Sequence, residues 1–259
     1  MDPIAFQAGP FTVRWYGVII ALAFAVGLII AYYHTERRKV DPDKFINLII
    51  ILIPSALIGA RLYYVLFNLD YYTVYPLEIV TVWHGGLAIH GGIIGGILAT
   101  VFYLRRETAL RFWAVADVIA PSLILGQAIG RWGNFFNQEV HGGPVSESFI
   151  SKFPAFIQHG MYIDGQYYHP TFLYESIWNF LVFLFLFRLI RKKALQDGIV
   201  FLAYLALYSC GRFVIEGMRT DSLMLGPLRM AQVISLAAII FAAIFLFQKL
   251  KNRKLDGRL

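Results

Sequence analysis

Residues 126–143, GQAIGRWGNFFNQEVHGG, decide how this chain is read. The stretch leaves an apolar run and presents Arg131, Asn134, Asn137, Gln138, Glu139 and His141. Trp132, Phe135, Phe136 and glycines at 126, 130, 133, 142 and 143 are set among them. A guanidinium, amides and a carboxylate at the rim of a hydrophobic run are costly unless they face protein, water or a polar ligand. A polar loop leaving a membrane helix is the simpler alternative. So many hydrogen-bonding groups among permissive glycines point instead to a binding site.

The surrounding chain is that of a membrane protein. Its 259 residues are 58% hydrophobic and 15% charged, with a mean hydropathy of +0.62, the values of a protein whose main solvent is lipid. The formal charge is +7, but the basic residues fall in short clusters between apolar runs. They read as topology signals facing anionic lipid heads, and no nucleic-acid partner is expected. One cysteine, Cys210, excludes an internal disulfide and a multi-cysteine metal site; it reads as a small buried hydrophobe. The opening residues 1–17, MDPIAFQAGPFTVRWYG, lack a basic leader, a short apolar core and a small-residue cleavage site. The first apolar run is therefore expected to remain as a membrane helix.

Seven apolar runs, at 13–33, 45–68, 87–104, 112–130, 171–187, 199–215 and 230–248, lie near the roughly 20 residues needed to cross a bilayer. Lone strands cannot satisfy their backbone groups in lipid, and no alternating barrel pattern is present, so each run is expected to be helical. The expected fold is an all-α polytopic membrane protein with seven transmembrane helices, one membrane-embedded domain over 1–259. Arg37, Arg38, Lys39 and Lys44; Arg105, Arg106 and Arg111; Arg188, Arg191, Lys192 and Lys193; and Lys249, Lys251, Arg253, Lys254 and Arg258 occupy alternate connections. That pattern marks the cytoplasmic side, placing the N-terminus outside and the C-terminus inside. Of the outer connections, 68–83 is aromatic and free of lysine and arginine, as suits an interfacial belt. The long one, 131–170, holds MYIDGQYY (161–168), where Asp164-Gly165 signals a tight hairpin. A small extracytoplasmic head between helices four and five is expected there.

Placed on this topology, the unusual polar residues gather at one leaflet. His90 starts run three in HGGLAIHGGIIGG (84–96), and Arg61 is in the outer third of run two, about 10 Å below its end at 1.5 Å per residue. Arg131, Asn134 and Glu139 follow run four. His169 and Glu175 open run five in YHPTFLYE (168–175); Arg212, Glu216, Arg219 and Asp221 close run six in GRFVIEGMRTD (211–221). Structural accidents would scatter over both faces, so a shared site is expected. Each residue also has a plainer reading. Gly91/Gly95 and Gly92/Gly96 have the small-xxx-small spacing of closely packed helices. His90 alone reads as a satisfied core histidine, Arg212 and Glu216 as an ion pair four residues apart, and Asp117 as structural or capping. Arg61 lies deep enough to need a buried partner.

Several arginines at headgroup level suit a phosphate, because guanidinium offers forked donors and stays charged. A histidine nearby can exchange a proton near neutral pH. No G-x-S-x-G elbow, H-E-x-x-H pair, phosphate-binding glycine loop or acyltransferase-like histidine–aspartate pair is present. The residues alone lead to a membrane protein that holds an anionic lipid headgroup and does acid/base chemistry on it.

HGGLAIHGG, GRWGNFFNQEVHG, HPTFLYE and GRFVIEGMRTD, in this order, resemble the prolipoprotein diacylglyceryl transferase family of bacteria. The similarity runs from RWYG (14–17) through GARLYYV (59–65) to the sixth run. It implies an enzyme of the cytoplasmic (inner) membrane with its active site facing the outer leaflet. The enzyme would move the sn-1,2-diacylglyceryl group of phosphatidylglycerol onto the lipobox cysteine of a prolipoprotein signal peptide, releasing glycerol phosphate. The family's functional positions fall on Tyr16, Arg61, His90, Arg131, Asn134, Glu139, Gly142, Glu175, Arg212, Glu216 and Arg219. Arg131, Asn134 and Arg212 are then expected to grip the phosphate, with Arg61, Tyr16 and Gly142 also lining the lipid site. Glu175, Glu216 and Arg219 support them, and Glu139 helps orient the arginines. His90 is the candidate base for a thiol whose resting pKa is near 8.5; Arg212 lowering that pKa is the alternative. Neither metal nor cofactor is implied. A lipid transporter or headgroup-binding protein using the same arginines is the competing class, although no duplicated half is evident. An intramembrane hydrolase is a third.

Overall fold

Long apolar stretches become helices in the computed structural model, which describes residues 1–9, 11–192 and 195–255. The chain falls into two units, Lys39–Val115 and Met1–Arg38 with Ala116–Leu259. Seven helices carry the long runs: α1 (Trp15–Thr35), α2 (Pro42–Leu66), α3 (Ile89–Arg106), α4 (Phe112–Asn137), α5 (Thr171–Leu189), α6 (Ile199–Glu216) and α7 (Met230–Leu255). Six helices among the described residues, α1, α2 and α4–α7, are long and apolar enough to cross a membrane by length and composition. The remaining one, α3, holds His90, four glycines, Arg105 and Arg106 in its 18 residues. The protein is thus a mostly helical, polytopic membrane protein. Of the basic residues used for topology, Lys193 and Arg258 lie outside the described residues.

In the unit Lys39–Val115, α2 starts where Asp41 accepts hydrogen bonds from the amides of Asp43 and Lys44 at 3.0 and 3.2 Å and Pro42 follows as a helix starter. It packs on α3 through backbone. A Cβ on Gly59 would strike the Gly91 carbonyl, one on Gly91 the Gly59 carbonyl and the Tyr63 Cβ, and one on Gly95 the Ser55 carbonyl. The glycine spacing of α3 is therefore a packing device, as small-residue faces are between membrane helices.

In the other unit, α4, α5 and α6 share a core of Ile124, Leu125, Val182, Phe183, Leu186, Val200 and Tyr204. Trp178 fills the space left by the missing side chain of Gly211 and donates its indole N–H to the Leu207 carbonyl at 2.9 Å. At the start of α6, buried Asp117 accepts from the amides of Gly198 and Phe201, both at 2.8 Å, and pairs with Arg38. Asp117 is a helix cap, as expected. Cys210, expected to be buried, is exposed.

The fourth run was expected to end at Gly130, with 131–170 as a connection. Instead α4 continues through the polar block to Asn137. Glycines did not stop it, because Gly133 is where the ring of Tyr16 lies against the helix; a Cβ there would sit 2.7 Å from Tyr16 Cδ2. Beyond α4, β1 (Pro144–Val145), β2 (Tyr162–Ile163) and β3 (Gln166–Tyr168) form an antiparallel sheet in the order β1-β3-β2. Asp164 and Gly165, at φ +48° and +83°, make the turn between β2 and β3. The sheet lies beside a second core of Phe135, Ile150, Ile157, Met161 and Phe172. The strand β1 was not expected, nor were two hairpins, one of Ile4–Ala8 and Phe11–Arg14 and one of Met224–Leu225 and Leu228–Arg229.

Candidate active site

Polar residues from α4, α5, α6 and the turn after α6 form one ladder of alternating charge. Arg131 of α4 pairs through Nε with Oε2 of Glu175, on the first turns of α5. The other oxygen of Glu175 accepts from Arg212 Nη1 at 2.8 Å. Arg212 Nη2 is 2.6 Å from Glu216, one turn further along α6, and Arg219 Nε is 3.8 Å from the same oxygen. Arg219 ends the ladder in a forked pair with Asp221 at 3.0 and 2.8 Å. A second arm leaves Arg131, whose Nη1 donates to Asn134 Oδ1 at 3.2 Å; Asn134 Nδ2 donates to Glu139 Oε1 at 2.8 Å.

Burial sorts these groups. Glu175 and Glu216 are buried, whereas the side chains of Arg131 and Arg212 are 19% and 18% exposed. Carboxylates that deep would be expensive unpaired, and here each meets two guanidinium groups. Arg131 Nη2 and Arg212 Nε make no hydrogen bond or ion pair among the described residues. The ladder is thus neutralised, while one nitrogen on each of the two guanidinium groups stays unengaged among the described residues. Outside the helices, Arg219 holds the Asp221 carboxyl below the usual carboxylate range, through its hydrogen bond and its charge.

The loop after α4 is bent hard to bring Glu139 back. Gln138 and Val140 adopt left-handed φ values of +52° and +60°, a costly conformation for a β-branched residue. The Thr171 hydroxyl holds it by donating to the Val140 carbonyl at 2.7 Å. Gly142 then lies flat against its neighbours: its amide donates to the His169 carbonyl at 3.0 Å, and a Cβ would sit 2.7 Å from His169 Cβ and 3.1 Å from the Met218 carbonyl. Gly142 therefore acts by close approach of backbone. His141, on the same loop, donates from Nδ1 to the Gly142 carbonyl at 3.0 Å, and its ring lies tilted against that of Tyr168 with centroids 4.2 Å apart.

The structure thus joins Arg131, Asn134, Glu139, Glu175, Arg212, Glu216 and Arg219, with Gly142 bracing the loop beside them and Tyr16 against Gly133. Arg61 and His90 belong to the other unit. His90 is exposed at the first turn of α3, its ring 6.1 Å from that of Tyr63. Arg61, expected to contact lipid headgroup, instead gives its donors to carbonyls: Ile79 at 2.9 Å, Gly85 at 2.6 Å, Gly86 at 2.9 Å, and Glu78. A guanidinium so occupied holds its own loop and has little left for a phosphate. Arg229 was missed. It donates to the carbonyls of Glu216 at 2.6 Å and Arg219 at 3.0 Å, pinning the end of the ladder. Its signal was a second basic residue, after Arg219, in a connection assigned to the side poor in lysine and arginine. Among the described residues, no three histidine, cysteine, aspartate or glutamate side chains gather to hold a metal ion.

The fold and the ladder define an integral membrane protein with a neutralised cluster of arginines at its helix ends. Similarity to known proteins narrows that class. Residues 3–248 match the family model described as prolipoprotein diacylglyceryl transferase. A phosphatidylglycerol–prolipoprotein diacylglyceryl transferase of Clostridium botulinum (strain Langeland) is 57% identical over 256 residues, 98% of this chain and 99% of the relative. One of Bacillus mycoides (strain KBAB4) is 50% identical over 260 residues, 100% of this chain and 96% of the relative. The chain belongs to the prolipoprotein diacylglyceryl transferase family.

Proposed function

We propose that this chain transfers the sn-1,2-diacylglyceryl group of phosphatidylglycerol to the lipobox cysteine of prolipoprotein signal peptides, a step of lipoprotein maturation. The names of its relatives support the reaction. The observation that carries the site assignment is Glu175 shared between two half-open guanidinium groups, each keeping an N–H free. Arg131 and Arg212 grip the phosphate and stabilise charge on the departing oxygen. Asn134 adds a donor, and Glu139, Glu175 and Glu216 hold the cations in place. The thiolate sulfur forms a bond to the terminal glyceryl carbon as the carbon–oxygen bond to phosphate breaks. Glycerol phosphate leaves with the electron pair, and the thiol proton passes to a base, for which His90 is the candidate.

This reading takes the two units as one membrane-embedded domain with seven crossings, α3 included, the N-terminus outside and the C-terminus inside. Of residues 131–170, those past the end of α4 at Asn137 supply the small extracytoplasmic head. The site then faces the outer leaflet of the bacterial cytoplasmic membrane. Tyr16 and Gly142 border the lipid.

Purified protein with phosphatidylglycerol and a lipobox peptide, followed by the mass of the peptide, tests the reaction. A diacylglyceryl increment on cysteine is expected. Free diacylglycerol without peptide modification means hydrolysis, and neither product means binding or transport. For the base, His90→Gln is expected to lose turnover with lipid binding retained; near-normal turnover removes His90 from that role.

A further inference from the structure

The loop that Arg61 holds carries an inference about where lipid lies. Residues 67–88 lead from α2 to α3 through a short helix, Leu69–Val74, and two tight turns, Pro76–Val80 and Val82–His84. Irregular backbone in water leaves its polar groups to the solvent. In contact with hydrocarbon, each must be paired within the protein.

Several of these groups are paired inside this segment. Besides the four carbonyls taken by Arg61, the amides of Glu78, Thr81 and Gly85 bond the carbonyls of Tyr75, Glu78 and Val82 at 3.0, 3.2 and 3.2 Å, and the Ala88 amide reaches Ala60 of α2 at 3.0 Å. The Glu78 carboxylate accepts from the Thr81 hydroxyl at 2.7 Å. Gly85 and Gly86, the pair in HGGLA, sit at φ +91° and +73°. That conformation, open to glycine, turns both carbonyls onto the guanidinium, and a Cβ on Gly86 would collide with Arg61 Nη1. The first glycine pair of the motif is therefore the seat of the latch.

What faces outward is apolar. Leu77 is 83% and Val80 68% exposed, and Val74 and Trp83 are exposed with them. No lysine or arginine occurs between Arg61 and Arg105, so no cation ties this stretch to water or headgroup phosphate. The segment also continues directly from the end of α2, a helix long and apolar enough to span. Carbonyls turned inward onto a buried guanidinium, beneath an apolar and cation-free surface, suit hydrocarbon better than water.

We propose that residues 76–86 form a wedge seated in the acyl region of the leaflet at the end of α2, with Arg61 as its latch. The proposal rests on α2 crossing the membrane and is independent of the transfer chemistry. It is tested with full-length protein in phosphatidylglycerol-containing vesicles, in a Cys210→Ala background, with spin labels at Leu77→Cys or Val80→Cys. Collision with dissolved oxygen is expected to exceed collision with a water-soluble nickel chelate, as for a control label at the exposed α2 position Ile58. Arg61→Gln, or Gly86→Ala should Arg61→Gln misfold, is expected to raise chelate collision severalfold and loosen the label. Dominant chelate collision in the latched protein overturns the wedge. Low collision with both reagents, accompanied by label–label broadening, means that a second copy covers the surface and also overturns it. Labels unmoved by both substitutions overturn the latch.

Discussion

The two ends of α6 both hold arginine and carboxylate side chains, and they are finished differently. At the N-terminal end, the side chains of Arg38 and Asp117 are 5% and 0% exposed. Arg38 also bonds the carbonyls of Leu195 at 3.1 Å and Gln196 at 3.2 Å and a carboxylate oxygen of Asp197 at 3.1 Å, while Asp117 caps the helix. At the other end, Arg131 and Arg212 stay partly open, with N–H groups unspent. The same residue types make a structural clasp when closed and, on the proposed reading, a binding surface when left one step short of closure. Charge in a membrane segment therefore marks function only together with its remaining hydrogen-bonding capacity.

That contrast can be broken from either side. Asp117→Ala leaves a buried guanidinium short of its partner and α6 uncapped, a loss of about 3–5 kcal/mol; a fall in melting temperature in detergent is expected, with turnover per folded molecule little changed. Arg131→Lys or Arg212→Lys keeps the charge and removes the fork. Transfer measured by peptide mass is expected to drop about 100-fold, with the melting temperature nearly held. A melting loss as large as that of Asp117→Ala would make the open end structural too. Gly133→Ala pushes the Tyr16 ring from its place; because that ring is exposed and can move, a few-fold rise in KM for lipid is expected at unchanged fold.

The smallest effect is that of pH on Asp221. Its carboxyl is held low by Arg219, so its contribution is present above the unfolded value near 3.9 and lost as pH falls through the folded value. Melting temperatures of the wild type and Asp221→Asn should differ by a small constant offset at neutral pH and converge in acid.

The open end was largely legible in the sequence. Arg131, Glu175, Arg212, Glu216 and Arg219 were conspicuous as charges bordering apolar runs, and motif order grouped them. The closed end was half legible: Asp117 stood out as a cap, whereas Arg38 hid among basic residues counted for topology. The continuation of α4 through its glycines was illegible because Gly133 answers to Tyr16, a contact across more than a hundred positions of chain. Arg61 was visible as a buried cation, but its partners are carbonyls, which every residue possesses and no sequence distinguishes. The hairpin of Ile4–Ala8 and Phe11–Arg14 was illegible because its strands, five and four residues long, are too short for an alternating pattern to stand out.

The doubly engaged carboxylate of Glu175 has a consequence for how this protein can change. Its oxygens serve two arginines on different helices, so a shift in either helix redirects both cations together. Substitutions at Arg131 and Arg212 should then be thermodynamically non-additive, by the 0.5–3 kcal/mol typical of groups sharing a partner. Any adaptation to a differently shaped headgroup would have to move the pair as a unit.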